Sequence, residues 1–157
     1  MNCVIVDDEY RGRELLATLL KTHCPELTVA AMADSVSGGY EVIRTVEPEL
    51  VFLDIEMHDG TGFDLLQKFD IPYFKTIFVT SYDQYAIQAV RFHAYDYLLK
   101  PVIINELKDA VKRLVEENKL KPSEWRICSP INCRRCKRQA GGEESGNRSS
   151  FNGIPRA

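Results

Sequence analysis

The chain has no long apolar run and no cysteine pattern typical of a secreted domain. No hydrophobic run approaches the roughly 18 residues that cross a membrane. The first residues do not combine a basic region, an apolar stretch and a small-residue cleavage site, so we expect a cytoplasmic protein with no membrane partner. Of its five cysteines only Cys3 and Cys24 precede residue 122, which excludes a disulfide framework and predicts two buried thiols in a reducing compartment.

Basic residues are scarce in the first three quarters of the chain. Residues 1–122 hold 13 basic and 20 acidic side chains, whereas residues 123–157 hold 7 and 3. An acidic body is unsuited to binding nucleic acid through its general field. The segment 122–157 is rich in Ser, Asn, Gly, Arg and Pro, and its low hydrophobicity predicts disorder. We therefore expect one domain over residues 1–121 and a disordered basic tail over residues 122–157.

Short apolar runs alternate with amphipathic segments through the first 120 residues. The predicted strands are 2–6, 27–33, 49–53, 76–79 and 95–99, and the predicted helices are 10–22, 36–46, 63–69, 83–92 and 103–119. Five strand–helix units in succession predict an α/β domain with a doubly wound parallel sheet.

Helical spacing also predicts which side chains face the core. In the first helix these are Leu15, Leu16, Leu19 and Leu20. In the last helix they are Ile104, Leu107, Val111, Leu114 and Val115. The pair Gly38-Gly39 is expected to weaken the second helix by roughly 1 kcal/mol per glycine relative to alanine.

Four of the predicted strands end in polar residues. The first runs into Asp7 and Asp8, the third into Asp54, the fourth into Thr80 and the fifth into Lys100. In a parallel sheet of this class, ligands bind at the carboxyl ends of the strands. The pattern therefore predicts a site for a cation and a phosphate, assembled from four separate parts of the chain.

Each of these residue types suits that chemistry. Three converging carboxylates repel one another and need a cation, and an oxygen-only set without His or Cys favours Mg²⁺. A carboxylate can attack phosphorus to form an acyl phosphate, while Lys100 and Thr80 would stabilise the phosphoryl oxygens. Singly, each motif has an ordinary alternative. Asp7-Asp8 suits a solvated helix start, Thr80-Ser81 a helix cap and Lys100-Pro101 a surface turn. Together they favour a site.

These motifs resemble the receiver domain of two-component response regulators over about residues 1–120. The resemblance rests on Val6–Glu9, Phe52–Met57, Phe78–Asp83 and Tyr95–Pro101. The last two segments, with Tyr85-Ala86 between them, resemble the LytTR (LytR/AlgR) class of transcriptional regulators. The resemblance implies a flavodoxin-like fold: a five-stranded parallel sheet of strand order 2-1-3-4-5, flanked by five helices.

The resemblance also implies a chemical role for the polar residues. Asp54 would accept a phosphoryl group from a sensor histidine kinase, with Thr80 and Lys100 binding its oxygens. Mg²⁺ would be held by Asp7, Asp8, Asp54 and the backbone carbonyl of Glu56.

Two further residues would take part in the response to phosphorylation. Tyr97 would act as an aromatic switch, and the peptide bond to Pro101 would be cis. The added charge would alter the surface formed by about residues 82–119, which commonly dimerises in the family.

The chain departs from the family's pattern at two places. His58 stands where the family usually has proline, and it is either a group that titrates near neutrality or, as we favour, an exposed loop histidine. Glu56 places a carboxylate two residues after the acceptor, where a side chain can influence access of water.

The basic tail stands where LytTR regulators carry a DNA-binding domain. Contact with nucleic acid would then need that missing domain, since the tail's few basic residues are weak evidence for binding. Cys133 and Cys136 have CxxC spacing, but zinc needs four ligands and we do not expect a metal there. Truncation, a frameshift or an appended foreign sequence explains the tail as well as a functional extension does.

Three functions compete on this sequence. We favour a phosphorylation-activated switch with only self-phosphorylation and autodephosphorylation chemistry, and not an enzyme with independent turnover. A degenerate receiver that acts as an interaction or dimerisation module is the alternative, but it would not need the full set of acids with Thr80 and Lys100. A phosphohydrolase of the haloacid-dehalogenase type is the third, and in that motif Gly-Thr stands closer to the nucleophile than Gly60-Thr61 does to Asp54.

Overall fold

A five-stranded parallel sheet forms the centre of the computed structural model, which describes residues 1–120. Its strands are β1 (Asn2–Val6), β2 (Thr28–Ala33), β3 (Leu50–Leu53), β6 (Lys75–Thr80) and β7 (Asp96–Leu99), in the order β2-β1-β3-β6-β7. The intervening β4 (Glu56–Met57) and β5 (Gly60–Thr61) pair antiparallel outside this sheet. The fourth and fifth strands of the sheet are thus β6 and β7, which confirms the predicted order 2-1-3-4-5. The predicted disorder of residues 122–157 and the CxxC spacing lie outside the described residues.

Five helices connect the strands, as predicted. They are α1 (Tyr10–His23), α2 (Val36–Val46), α3 (Gly62–Gln67), α4 (Ala86–Arg91) and α5 (Ile104–Leu120). The prediction of a helix over 83–92 is wrong at its start, because the amide of Ala86 donates to the carbonyl of Asp83 in a turn and α4 begins only at Ala86. Among the described residues no helix is both long and apolar enough to cross a bilayer.

Side chains alternate between the two faces of the sheet, and each face is covered by helices. Ile5, Phe52 and Ile77 lie in a core that includes buried residues of α1 and α5. Val51 and Phe78 lie in a second core, shared with α2, α3 and α4. A parallel sheet buried on both faces explains why its strands read as continuous apolar runs in the sequence.

Two of the predicted inward-facing residues are exposed. Leu15 is 56% exposed and Ile104 is 39% exposed, so both predictions are wrong. In α1 the buried stripe runs through Leu16 and Leu20, four residues apart, and Leu15 lies about 100° around the helix from Leu16. Ile104 is the first residue of α5, and burial there begins with Leu107.

One glycine of the α2 pair, Gly39, has a packing role that its low helix propensity conceals. A Cβ on Gly39 would lie 2.9 Å from Cγ1 of Val6 and 3.0 Å from Cδ2 of Leu65. Only glycine lets α2 approach β1 and α3 this closely.

The two cysteines in the described residues are free and buried, as predicted. Both belong to the core that β1 shares with α1 and α5. Burial raises the pKa of the Cys3 thiol to about 12. Both side chains therefore serve as small apolar groups.

Candidate functional site

The backbone hydrogen bonds of the sheet continue one residue past its carboxyl edge. The amide of Asp54 donates to the carbonyl of Val6 at 2.8 Å, and the amide of Lys100 donates to the carbonyl of Thr80 at 2.8 Å. Neighbouring strands thereby hold the predicted site residues side by side. The structure brings all five polar strand-end residues to this edge.

Three carboxylates converge there, as the sequence predicts. Asp7, Asp8 and Asp54 each offer one oxygen, and these oxygens lie within 4.8 Å of one another. Asp7 and Asp54 are buried, and Asp8 is half-buried. A compact set of hard oxygen donors is the arrangement that suits Mg²⁺.

The start of α1 and the residue before it hold Asp7 in place. The amide of Glu9 donates to Oδ1 of Asp7 at 2.8 Å. A Cβ on Gly12 would lie 2.7 Å from Oδ2 of Asp7, so the glycine leaves room for the acid. The guanidinium of Arg13 donates to the backbone carbonyl of Asp7. These contacts leave Oδ2 directed towards Lys100.

Lys100 bridges two of the acids. Its Nζ lies 2.6 Å from Oδ2 of Asp54, 2.8 Å from Oδ2 of Asp7 and 3.9 Å from Oε2 of Glu9. Burial lowers the pKa of Lys100, but the hydrogen bonds to Asp54 and Asp7 outweigh it, so the pKa lies above its ordinary value. The group is therefore an ammonium at neutral pH.

Asp54 is held by the backbone of the next residue. The amide of Ile55 donates to Oδ1 of Asp54 at 2.6 Å. Burial raises the pKa of Asp54, the hydrogen bond from Lys100 opposes this, and the nearby charge of Asp7 adds to it. The net result is a raised pKa, because loss of solvation exceeds the gain from the ammonium.

Thr80 supplies a buried hydroxyl at the end of β6. Its side chain is fully buried, and among the described residues its Oγ1 makes no hydrogen bond of ordinary geometry. The hydroxyl nevertheless lies near enough to Asp54 to lower the pKa of that carboxyl. A buried hydroxyl without a partner costs free energy, which a ligand oxygen would recover.

The residues predicted as a switch lie on β7 and just after it. Tyr97 is half-buried, and its hydroxyl donates to the backbone carbonyl of Tyr82. The ring centroids of Tyr97 and Phe78 are 6.3 Å apart. The Lys100–Pro101 peptide bond is cis, as predicted.

The segment after Asp54 is a hairpin that the sequence did not reveal. Gly60 has a φ of +147°, a conformation reserved for glycine, and a Cβ on Gly62 would lie 2.4 Å from the carbonyl oxygen of Asp54. Both glycines were visible in the sequence as signals of a tight turn. His58 is exposed, as we favoured.

A second contact missed by sequence analysis joins this hairpin to the segment before α4. The hydroxyl of Tyr85 donates to Oε1 of Glu56 at 2.8 Å. A hydrogen bond to the Glu56 carboxylate also raises the pKa of Tyr82. The Glu56 side chain therefore faces two tyrosines.

The model of the response regulator receiver domain matches residues 3–112. The chain belongs to this family. Asp7, Asp8, Asp54, Thr80 and Lys100 all lie within the matched range, and the receiver fold is the one that the structure shows.

Named relatives support the assignment of this receiver. The chain is 40% identical over 121 residues to the sensory transduction protein LytT of Enterococcus faecalis, covering 74% of this chain and 49% of the relative. It is 39% identical over 122 residues to an uncharacterized response regulatory protein of Vibrio cholerae, covering 76% and 50%. Similarity to LytT confirms the resemblance to the LytTR class. The receiver chain spans about half the length of the curated relatives it matches.

Solved structures show the same receiver fold. The response regulatory domain of mrkE from Klebsiella pneumoniae has a TM-score of 0.70 at 23% identity, covering 77% of this chain and all of that one. The REC domain of AraT, a response regulator from Geobacillus stearothermophilus, has a TM-score of 0.68 at 27% identity, covering 75% and 95%.

Proposed function

We propose that Asp54 accepts a phosphoryl group from the phosphohistidine of a sensor histidine kinase. An oxygen of the Asp54 carboxylate attacks phosphorus, forming an O–P bond as the P–N bond of the phosphohistidine breaks. The imidazole keeps the electron pair of the broken bond and takes up a proton. Transfer is then a single event per chain, ended when water hydrolyses the acyl phosphate to the Asp54 carboxylate and inorganic phosphate, and not a turnover reaction on a small substrate.

The arrangement of Lys100 and Thr80 around Asp54 carries this proposal. The Lys100 ammonium lies 2.6 Å from the Asp54 carboxylate, and the buried Thr80 hydroxyl on the same sheet edge makes no hydrogen bond of ordinary geometry within residues 1–120. An ammonium and a free hydroxyl donor are the groups that stabilise charge on phosphoryl oxygens. The degenerate-receiver alternative leaves the cost of burying the Thr80 hydroxyl unexplained.

A divalent cation fits the carboxylate cluster. Asp7, Asp8, Asp54 and the backbone carbonyl of Glu56 would hold Mg²⁺, all through oxygen. When bound, the ion would neutralise charge on the transferring oxygens. Asp7 and Asp54 both contact the ammonium of Lys100.

The output of the switch would be self-association. Exposed apolar side chains on the surface of residues 82–119 support a homodimer, and they are Ile87, Val90, Leu99, Ile103 and Ile104. The added negative charge at Asp54 would act on this surface through Thr80 and Tyr97. We place the switch in a cytoplasmic two-component system, as input to a LytTR-class transcriptional regulator that contacts DNA only through a separate domain.

Intact-protein mass after incubation with acetyl phosphate and Mg²⁺ tests the proposal. We expect the parent chain to gain one phosphoryl group, and we expect no gain in Asp54→Asn or in the presence of EDTA. A folded chain that gains nothing, beside a working control receiver, would favour the interaction module. Continuous release of phosphate from small esters would instead indicate a phosphohydrolase.

A further inference from the structure

The turn of the β4–β5 hairpin is bound to the start of α2. Asp59 lies in the two-residue turn between Met57 and Gly60. Its Oδ1 accepts a hydrogen bond from the amide of Val36 at 2.8 Å, and its Oδ2 accepts one from the amide of Ser37 at 3.1 Å. One carboxylate thus joins two segments that lie more than 20 residues apart in the chain.

The amides that Asp59 binds have no acceptor within their own helix. Val36 and Ser37 are the first two residues of α2, and the first amides of any helix lack intrahelical partners. Ser35 serves the next position, since its hydroxyl accepts from the amide of Gly38 at 3.1 Å. Burial raises the pKa of the Asp59 carboxyl, but the hydrogen bonds from these amides together outweigh it and lower the pKa overall.

The same hairpin is held on a second side. The Glu56 carboxylate accepts from the hydroxyl of Tyr85 at 2.8 Å, and the amide of Gly62 donates to the carbonyl of Ile55 at 2.7 Å. At position 58 the exposed histidine leaves φ free, where a proline would fix it. Contacts with α2 and with Tyr85 therefore restrain the hairpin on two sides.

We propose that Asp59 is a positioning residue for the cation site. By anchoring the hairpin turn to α2, it restrains the hairpin that carries Glu56, whose backbone carbonyl is one of the ligands proposed above, and so sets the affinity of the site for Mg²⁺. A ligand fixed before the ion arrives costs less to order on binding, and groups that orient metal ligands commonly change affinity by about 10-fold or more. The inference rests on the proposed function.

Titration of the full chain with Mg²⁺ alone tests the positioning role of Asp59. The amide NMR shifts of Ile55 and Glu56 report binding of the ion. We expect Asp59→Ala to raise the dissociation constant for Mg²⁺ about 10-fold. Asp59→Asn keeps one acceptor oxygen and should fall between Asp59→Ala and the parent. The matched control is Ser35→Ala, which removes a hydrogen bond from the same end of α2 without touching the hairpin.

The outcomes separate positioning from general stability. Weaker binding in Asp59→Ala together with parent-like binding in Ser35→Ala supports the inference. Equal weakening in both variants overturns it, because loss of α2 stability would then account for the effect. Parent-like affinity in Asp59→Ala also overturns it, while leaving the proposed function intact. A parent chain that binds no Mg²⁺ refutes the cation site itself.

Discussion

The buried hydroxyl of Thr80 is explained better by function than by stability. Thr80 is fully buried and forms no hydrogen bond of ordinary geometry with any described residue, although it ends β6, which pairs with the strand that leads into Asp54. Burying a hydroxyl without a hydrogen bond costs free energy, and no contact that the structure describes offsets that cost. Its presence is understandable if its partner is an oxygen that arrives later.

Thr80→Val replaces this hydroxyl with a methyl group of nearly the same shape. We expect little change in the free energy of unfolding, because no hydrogen bond of ordinary geometry is lost. We expect the initial rate of phosphorylation by acetyl phosphate to fall about 100-fold, the usual effect of removing one donor to a developing charge. Urea denaturation and time-resolved intact mass measure the two effects. An unchanged rate of phosphorylation together with reduced stability would show that Thr80 has only a packing role.

The residues of the site differ in how far the sequence could predict them. Asp54, Thr80 and Lys100 follow apolar strands, so the rule that parallel strands end at one edge was enough to bring them together. The contacts of Asp59 with α2 and of Tyr85 with Glu56 join segments more than 20 residues apart. No local period or motif encodes such pairs, because they depend on how helices pack against the loops.

At the scale of elements, close packing and capping determine which helix residues are buried and which residue types fit, and the sequence pattern alone does not show either. Apolar period alone placed Ile87 and Val90 in a helix, but it could not show that both would be exposed, at 74% and 75%. The two glycines of α2 looked unfavourable by helix propensity, yet Gly39 lies against Val6 and Leu65. Propensity describes an isolated helix, whereas the fold selects the residue that fits between neighbours.

Gly39→Ala sets these two effects against each other. Helix propensity predicts a gain of up to about 1 kcal/mol, whereas overpacking against Val6 and Leu65 costs about 1–3 kcal/mol. Because the new Cβ would lie 2.9 Å from Val6, we expect net destabilisation in thermal unfolding. Gly38→Ala meets only the movable hydroxyl of Ser35 at this distance, so it should cost less. A more stable Gly39→Ala chain would show that α2 moves outward without penalty.

The start of α3 gives a prediction about pH. Thr61 and Asp64 form a reciprocal cap, in which the hydroxyl and the amide of Thr61 donate to Oδ2 of Asp64 at 2.7 and 2.8 Å. These hydrogen bonds hold the pKa of Asp64 below its ordinary value of 3.8. The folded chain therefore releases this proton more readily than the unfolded chain. The resulting stability is present above pH 3.8 and is lost as the pH falls through the lowered pKa.

Asp64→Asn should accordingly be less stable than the parent at neutral pH. The difference should shrink as the pH falls below 3.8, because the parent then loses the charge that the variant never had. Urea denaturation at a series of pH values, with the exposed Asp109→Asn as a control for surface charge, measures it. A difference that does not vary with pH would show that the cap works without its charge.

At the scale of the whole molecule, the sheet is the frame that both cores share. Ile5 and Phe52 point to the core with α1 and α5, while Val51 and Phe78 point to the core with α2, α3 and α4. The order of the strands followed from the family resemblance, and the alternation of strands and helices supplied the fold class. The spacing of apolar residues could not have given the strand order. A strand buried on both faces is apolar throughout, so its sequence does not show which strands lie beside it.

A shortened chain tests the predicted domain boundary. Both cores lie within residues 1–120, so we expect a chain ending at Lys121 to keep the parent's unfolding temperature and its phosphorylation by acetyl phosphate. A chain ending at Ile103 is the control, because it removes α5 with the buried Leu107 and Leu114 and should not fold. Loss of folding in the longer chain would place part of the domain beyond residue 121.

The buried thiols of Cys3 and Cys24 can be used to measure local unfolding of the core around them. Cys3 and Cys24 are almost fully enclosed, and burial raises the pKa of both thiols, that of Cys3 to about 12, so neither carries much reactive thiolate at neutral pH. An alkylating reagent can modify them only during excursions that open the core of α1, α5 and β1. The rate at which peptides containing these cysteines acquire the label therefore measures how often that side of the sheet becomes accessible, without any introduced probe.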